Sequence, residues 1–141
     1  MNGYKYKMEK VLEYRSQLEK KKVEDYARVN MTLEEQKDRL AELKDEYGGK
    51  NRDQETGIHE MKMQFLYKEK LRRDMYYQEV KIQDTEHKVN DARDILIEAR
   101  KDRKIMEILK DKDKTQYIQE VNLKEQKELD DISIMKFASQ G

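Results

Sequence analysis

The sequence predicts an all-α protein in which two long helices form an antiparallel coiled-coil hairpin, with the second helix longer than the first and projecting beyond it. Charged residues make up 44% of the chain and apolar residues only 35%, which is too few to fill a compact globular core. Lys and Arg together number 31, Asp and Glu also number 31, and proline is absent, a composition unlike that of most disordered chains. Apolar residues recur at alternating steps of three and four, which is the heptad pattern of a coiled coil.

Helix-breaking residues gather at one place in the middle of the chain. Gly48, Gly49 and Gly57 are three of the five glycines, and the other two stand at the ends of the chain. Glycine costs about 1 kcal/mol relative to alanine inside a helix and is frequent just beyond a helix end. The predicted boundaries are a first helix at about 4–47, a loop at about 48–57 and a second helix at about 58–137, in one domain of residues 1–141. Asn51 with Gln54, or Asp53 alone, is suited to cap the second helix.

The first helix carries a heptad seam that is clearest in its second half. Its members there are Tyr26, Val29, Leu33, Gln36, Leu40, Leu43 and Tyr47. The upstream members are Tyr4, Met8, Val11, Arg15, Leu18 and Lys22. Two successive steps of four, from Leu18 to Lys22 to Tyr26, predict a stutter, which would locally unwind a supercoil.

The second helix carries a longer seam. Its members are Leu71, Met75, Gln78, Ile82, Thr85, Val89, Ala92, Leu96, Ala99, Arg103 and Met106. Ile58, Met61 and Phe65 continue a similar stripe upstream. A hairpin closed at the glycines would place Tyr4 near Lys101 and leave 106–137 without an intrachain partner. Exposed apolar stripes are typical of interaction sites, so this end predicts a protein-binding function.

Other functional classes find little support in the sequence. There is no cysteine for a disulfide or thiolate site, and no apolar run approaches the roughly 20 residues of a membrane span. The polar, basic N-terminus is unlike a signal peptide, and balanced charge argues against nucleic-acid binding. His59 and His87 have no accompanying ligand set, and no phosphate-binding loop follows Gly48 and Gly49. We therefore expect no enzyme activity, cofactor, metal, small-molecule substrate or nucleic-acid partner.

Four tyrosines lie off or beside the seams: Tyr14, Tyr67, Tyr76 and Tyr77. Exposed aromatic side chains are enriched in binding hot spots, whereas tyrosines on a long helix also serve as ordinary flanking residues. The sequence is compatible with both interpretations.

The two ends of the chain resemble a known family. The run from Tyr6 to Arg15, YKMEKVLEYR, followed by Leu18 and Glu19, resembles the start of FliJ, a small coiled-coil protein of the flagellar type III export apparatus. The run at 125–132, EQKELDDI, with Phe137 after it, resembles the family's Glu-Gln-Lys-x-Leu/Met-Asp-Glu ending. The length, the lack of proline and the central break agree, so the resemblance covers nearly the whole chain.

The resemblance implies a non-enzymatic export component that binds and stimulates the hexameric export ATPase FliI, as a central stalk does in rotary ATPases. It also implies contact with the export gate protein FlhA, association with FliH and escort of export chaperones. Its expected location is the cytoplasm, peripheral at the cytoplasmic face of the inner membrane.

The resemblance also suggests which residues make these contacts. The expected ATPase-binding residues are Tyr4, Met8, Val11, Leu12, Leu123, Leu129, Ile132 and Phe137. The expected gate-binding residues, nearer the loop, are Leu40, Leu43, Tyr47, Tyr67 and Leu71. An injectisome stalk protein and a generic coiled-coil scaffold are the alternatives, and the isolated chain could also self-associate through uncovered apolar residues.

Overall fold

The computed structural model describes residues 3–49 and 57–140 and contains two α-helices, α1 (Glu9–Gly49) and α2 (Ile58–Gln140). The helix α1 has 41 residues and α2 has 83, and no strand occurs within these two ranges. The two helices pack against each other, so the predicted all-α class with a longer second helix is confirmed.

The helix ends differ from the predicted boundaries by a few residues. The helix α1 begins at Glu9 instead of near residue 4, and the N–H of Glu9 donates to the carbonyl of Tyr6 at 3.2 Å. Gly48 and Gly49 belong to α1, not to the loop, because neither adopts the left-handed conformation that would end the helix there. The helix α2 continues past 137 to Gln140, since no glycine or proline interrupts residues 138–140. The predicted capping residues Asn51, Asp53 and Gln54 lie outside the described residues.

Contacts between Cα atoms divide the chain into two units. The terminal unit combines residues 1–19 with 99–141, and the central unit comprises residues 20–98, each as far as the structure describes them. Each unit contains one stretch of α1 and one of α2, and in each the stretches run antiparallel. In the terminal unit, Glu9 pairs with Lys110 at 2.8 Å and Arg15 with Asp102 at 3.5 Å, so α2 numbers fall as α1 numbers rise.

The seam between the helices is the core. Its buried apolar residues are Leu33, Leu43, Leu71, Ile82 and Leu96 in the central unit, and Leu12 and Ala99 in the terminal unit. All eleven seam positions predicted on α2, from Leu71 to Met106, are buried or half-buried. The side-chain amide of Gln78 donates to the carbonyl of Gln36 at 2.9 Å, so the polar seam positions also interact.

The start of α1 shields residues outside the predicted seam, while Leu18, Lys22 and Tyr26 are also half-buried, so the stutter stays a prediction. The structure buries Leu12 and shields the side chain of Glu19, which is 16% exposed. Shielded residues of this stretch also follow one another at alternating steps of three and four: Leu12, Arg15, Glu19, Lys22 and Tyr26. The apolar pattern did not single out Glu19 because a carboxylate occupies a seam position where an aliphatic side chain is expected.

The predicted register is wrong. The hydroxyl of Tyr4 donates to Asp113 at 2.7 Å, twelve residues beyond Lys101. Residues 3–8 are not helical, and extended chain advances by about 3.3 Å per residue against 1.5 Å in a helix. In the central unit, Tyr47 packs against Arg72, so α2 begins more than three turns before that contact. The uncovered end of α2 therefore starts after Val121 instead of at residue 106.

Candidate protein-binding surfaces

Tyr4 anchors the non-helical start of the chain to α2 in the terminal unit. Its hydroxyl donates to Asp113 and reaches the carbonyl of Lys110 at 3.4 Å, and its ring centroid lies 5.4 Å from that of Tyr117. Partial removal from water, followed by the hydrogen bond to Asp113, raises the pKa of Tyr4 to about 12. The phenol therefore stays neutral, and keeps donating, at physiological pH.

An ionic cluster fills the seam of the terminal unit around Glu19. The guanidinium of Arg103 forms a short hydrogen-bonded ion pair with Glu19, and Arg100 lies 3.6 Å from the same carboxylate. The hydrogen bond from Arg103 lowers the pKa of Glu19 below its ordinary value of 4.5. Arg103 also pairs with Glu107 at 2.7 Å. Because these charges sit where a coiled coil normally places aliphatic side chains, this stretch depends on ion pairs for its packing.

The expected ATPase-binding residues separate into two groups in the structure. Leu12 is buried between the helices, Val11 and Tyr4 are half-buried, and Met8 is exposed. The three shielded residues present little surface to another protein.

The second group lies on an exposed stretch that we call the C-terminal segment, residues 122–140. Every residue of this segment is exposed, and Phe137 reaches 81%. Leu123, Leu129, Ile132 and Phe137 all lie on it, as do Ile134 and Met135, which the sequence analysis did not single out. Helical geometry places Leu129 and Ile132 on one side, and Leu123, Ile134 and Phe137 on nearly the opposite side. Apolar residues on two sides are typical of a helix that is contacted from more than one direction.

The expected gate-binding residues lie in the central unit, at different depths. Leu43 and Leu71, each 3% exposed, belong to the seam, and Leu40 is half-buried. Tyr47 and Tyr67 lie at the edge of the helix pair: Arg72 donates to the Tyr47 hydroxyl at 2.9 and 3.1 Å, and Tyr67 donates to Glu46 at 3.2 Å. The hydrogen bond to Tyr47 is the main cause that raises the pKa of Arg72. The accessible part of this set is its tyrosine edge.

The start of α2 carries exposed apolar residues that sequence reasoning assigned differently. Ile58, Met61 and Phe65 were expected to continue the seam, but all three are exposed, and so is Leu66. They precede the contact of Tyr47 with Arg72, so the paired stretch of α1 does not cover them. The sequence did not predict this exposure because it does not show the register in which the two helices pair.

The tyrosines that were predicted to lie off the seams are exposed. Tyr14, Tyr76 and Tyr77 are exposed, and the rings of the last two meet edge to face with centroids 5.7 Å apart. Their positions fit a recognition role, which stays a prediction.

Among residues 3–49 and 57–140, no helix is both long and apolar enough to cross a membrane. The same part of the chain contains no group of three or more His, Asp or Glu side chains arranged to hold a metal ion.

Comparison with known proteins agrees with the resemblance at the two ends of the sequence. A family model described as "Flagellar FliJ protein" matches residues 4–141. No curated protein and no solved structure matches the chain. Since the family match takes in both helices and the residues between them, the chain belongs to the FliJ family and is a component of the flagellar export apparatus.

Proposed function

We propose that this protein binds the hexameric export ATPase FliI as a central stalk and stimulates its ATP hydrolysis. The observation that carries the proposal is the C-terminal segment, a stretch of helix that no other described part of the chain covers and that carries apolar side chains on two sides. A stalk inside a ring is surrounded by subunits, and an apolar surface on more than one side suits that environment.

Within this proposal, the two groups of expected ATPase-binding residues have different tasks. Leu123, Leu129, Ile132 and Phe137 contact the ATPase directly, together with Ile134 and Met135. Tyr4, Val11 and Leu12 fix the base from which the segment extends, and the exposed Met8 adds a contact beside that base. This division follows from their burial.

We further propose that the tyrosine edge of the central unit contacts the export gate protein FlhA. Tyr67 and the exposed side of Tyr47 would meet the gate protein, with Leu40 at the margin. Leu43 and Leu71 would act from inside the seam by holding the two tyrosines in place, since their side chains are buried. Association with FliH, escort of export chaperones and a position at the cytoplasmic face of the inner membrane belong to the same proposal, with no catalysis or cofactor.

Family membership favours the flagellar system over the injectisome counterpart and over a generic scaffold. The family model that matches the chain is a flagellar one, and it spans residues 4–141. An injectisome stalk would be built on the same physical principles, so the helix geometry does not separate the two.

The test is ATP hydrolysis by purified FliI with the full chain, with a version truncated after Lys124, and with a Leu129→Asp/Ile132→Asp variant. We expect stimulation by the full chain and little or none by the other two, because a carboxylate in an apolar contact leaves an unpaired charge. Met31→Asp is the matched control, since Met31 is equally exposed but lies on α1 in the central unit. Full stimulation by the truncated chain would rule out the C-terminal segment as the ATPase contact.

A further inference from the structure

The central unit has a second face with heptad spacing, on the side of α2 turned away from α1. We call it the outer face and define it by Leu66, Arg73, Tyr76, Tyr77, Val80 and Asp84. Leu66, Arg73, Tyr77, Val80 and Asp84 occupy positions of a heptad seam. Since each helical residue turns by about 100°, these side chains point roughly opposite to the seam residues Leu71, Gln78 and Ile82.

The apolar and aromatic residues of the outer face are accessible. Leu66, Tyr76, Tyr77 and Val80 are all exposed, and the two tyrosine rings contact each other. Large aromatic side chains bury much area at low cost in conformational entropy, so they are effective interface residues.

The charges of the outer face have no partner inside the described chain. Neither Arg73 nor Asp84 forms a hydrogen bond or ion pair with another of the described residues. Eleven residues separate them along α2, about 16 Å, so they cannot pair with each other within one molecule.

When two copies of this stretch of α2 are aligned antiparallel, complementary residues lie opposite each other. In an antiparallel pair of α2 helices with the two-fold axis between residues 78 and 79, Tyr77 lies opposite Val80 and Arg73 lies opposite Asp84. Glu69 and Lys88, which flank the face, lie opposite each other in the same register. Each contact occurs twice because a two-fold interface uses the same patch on both subunits.

We infer that the outer face binds a second copy of this chain, α2 against α2 and antiparallel, with Arg73 of each copy paired with Asp84 of the other. Opposite charges at matching positions select this register over its neighbours, and the tyrosine and valine layers supply the apolar contact. With the axis between residues 78 and 79, the paired positions run from Glu69 to Lys88, a helix length of about 29 Å, and Leu66 lies just outside them. Its charges are solvent-exposed, so we expect a weak, salt-sensitive dimer with Kd in the micromolar range.

This inference is independent of the proposed stalk function. The outer face lies in the central unit, whereas the C-terminal segment lies in the terminal unit. A variant that cannot dimerise should therefore still stimulate the ATPase, and a variant that fails to stimulate the ATPase should still dimerise.

The experiment is sedimentation analysis of the full chain over a range of concentrations at low and high salt, with circular dichroism to check helicity. We expect a concentration-dependent dimer that weakens with salt. Asp84→Arg alone and Arg73→Asp alone should each raise Kd about tenfold or more, because each places like charges opposite one another. The double variant Arg73→Asp/Asp84→Arg should restore dimerisation, since both contacts are then inverted.

Glu34→Arg is the matched control, because Glu34 is an exposed acidic residue on α1 in the same unit and should leave Kd unchanged. A chain that stays monomeric at every concentration overturns the inference and leaves the outer face to a different protein. A dimer in which the double variant fails to recover overturns the register.

Discussion

Glu19 shows how one residue can hold a polar seam together. It accepts hydrogen bonds from Arg103 and lies 3.6 Å from Arg100, at a position where a coiled coil normally places an aliphatic side chain. Polar residues at such positions fix register at some cost in stability. The pair is therefore expected to specify which α2 residues face the start of α1.

Replacing Glu19 by Gln should destabilise the protein in a pH-dependent way. At pH 7 we expect a loss of about 1 kcal/mol in the free energy of unfolding, because Arg103 and Arg100 lose a charged acceptor. The pKa of Glu19 is lowered in the folded state, so its contribution is present above its ordinary value of 4.5 and is lost as the pH falls through the folded-state value. Urea titrations of both proteins from pH 7 to about pH 3 should therefore show their difference shrinking.

The control for this substitution is Glu24→Gln, which changes an exposed glutamate on the same helix that forms no ion pair within the described part of the chain. It should leave the unfolding free energy unchanged within about 0.5 kcal/mol. A difference between wild type and Glu19→Gln that stays constant with pH would contradict the assigned ion pair.

At the scale of the helices, the buried leucines of the central unit should control stability more than recognition. Leu43→Ala and Leu71→Ala each remove a side chain that is 3% exposed, and each should cost about 2–4 kcal/mol of unfolding free energy. Leu66→Ala, on an exposed side chain of α2, should cost less than about 0.5 kcal/mol. Denaturant unfolding followed by circular dichroism measures all three.

The same variants also examine the gate contact that the resemblance assigned to Leu43 and Leu71. If either leucine touched the gate protein directly, its substitution would weaken binding even in protein that is still fully folded. We expect instead that binding follows the folded fraction. Tyr67→Ala, at the accessible edge, should weaken binding without loss of helicity.

The helices also show what the sequence could and could not reveal. The seam of α2 from Leu71 to Met106 was predictable because a repeat of three and four leaves a periodic trace in one dimension. The register between α1 and α2 was not, because it depends on the non-helical residues before Glu9 and on where α2 first meets α1. The same error placed Ile58, Met61 and Phe65 in the seam. The sequence did not indicate that Glu19 belongs to the seam, because the seam was predicted from apolar residues and the Glu19 side chain is charged.

At the scale of the whole molecule, the two units differ in the interactions that hold their two helices together. Among the described residues, the central unit contains five buried aliphatic side chains, whereas the terminal unit has two, Leu12 and Ala99, and adds the ion pairs around Glu19 and the hydrogen bonds of Tyr4. Ion pairs near the surface are screened by salt, and apolar burial is not.

Hydrogen exchange should therefore distinguish the units. We expect the amides of residues 9–19 to exchange faster than those of 33–43, and the gap to widen between about 0.1 M and 1 M salt as screening shortens the Debye length from about 10 Å to 3 Å. Mass spectrometry of peptic peptides gives this comparison within one sample. Equal protection of the two stretches at both salt concentrations would contradict the assignment of the terminal unit to ionic packing.

The narrow seam has a thermodynamic consequence. Only seven apolar side chains among the described residues are buried. Unfolding therefore exposes little new hydrocarbon to water, and the heat-capacity increment per residue should fall below the roughly 12–15 cal/mol/K that is usual for globular domains. A small increment reduces the curvature of the free energy of unfolding against temperature, so cold denaturation should occur only at a temperature lower than for a globular domain of the same Tm.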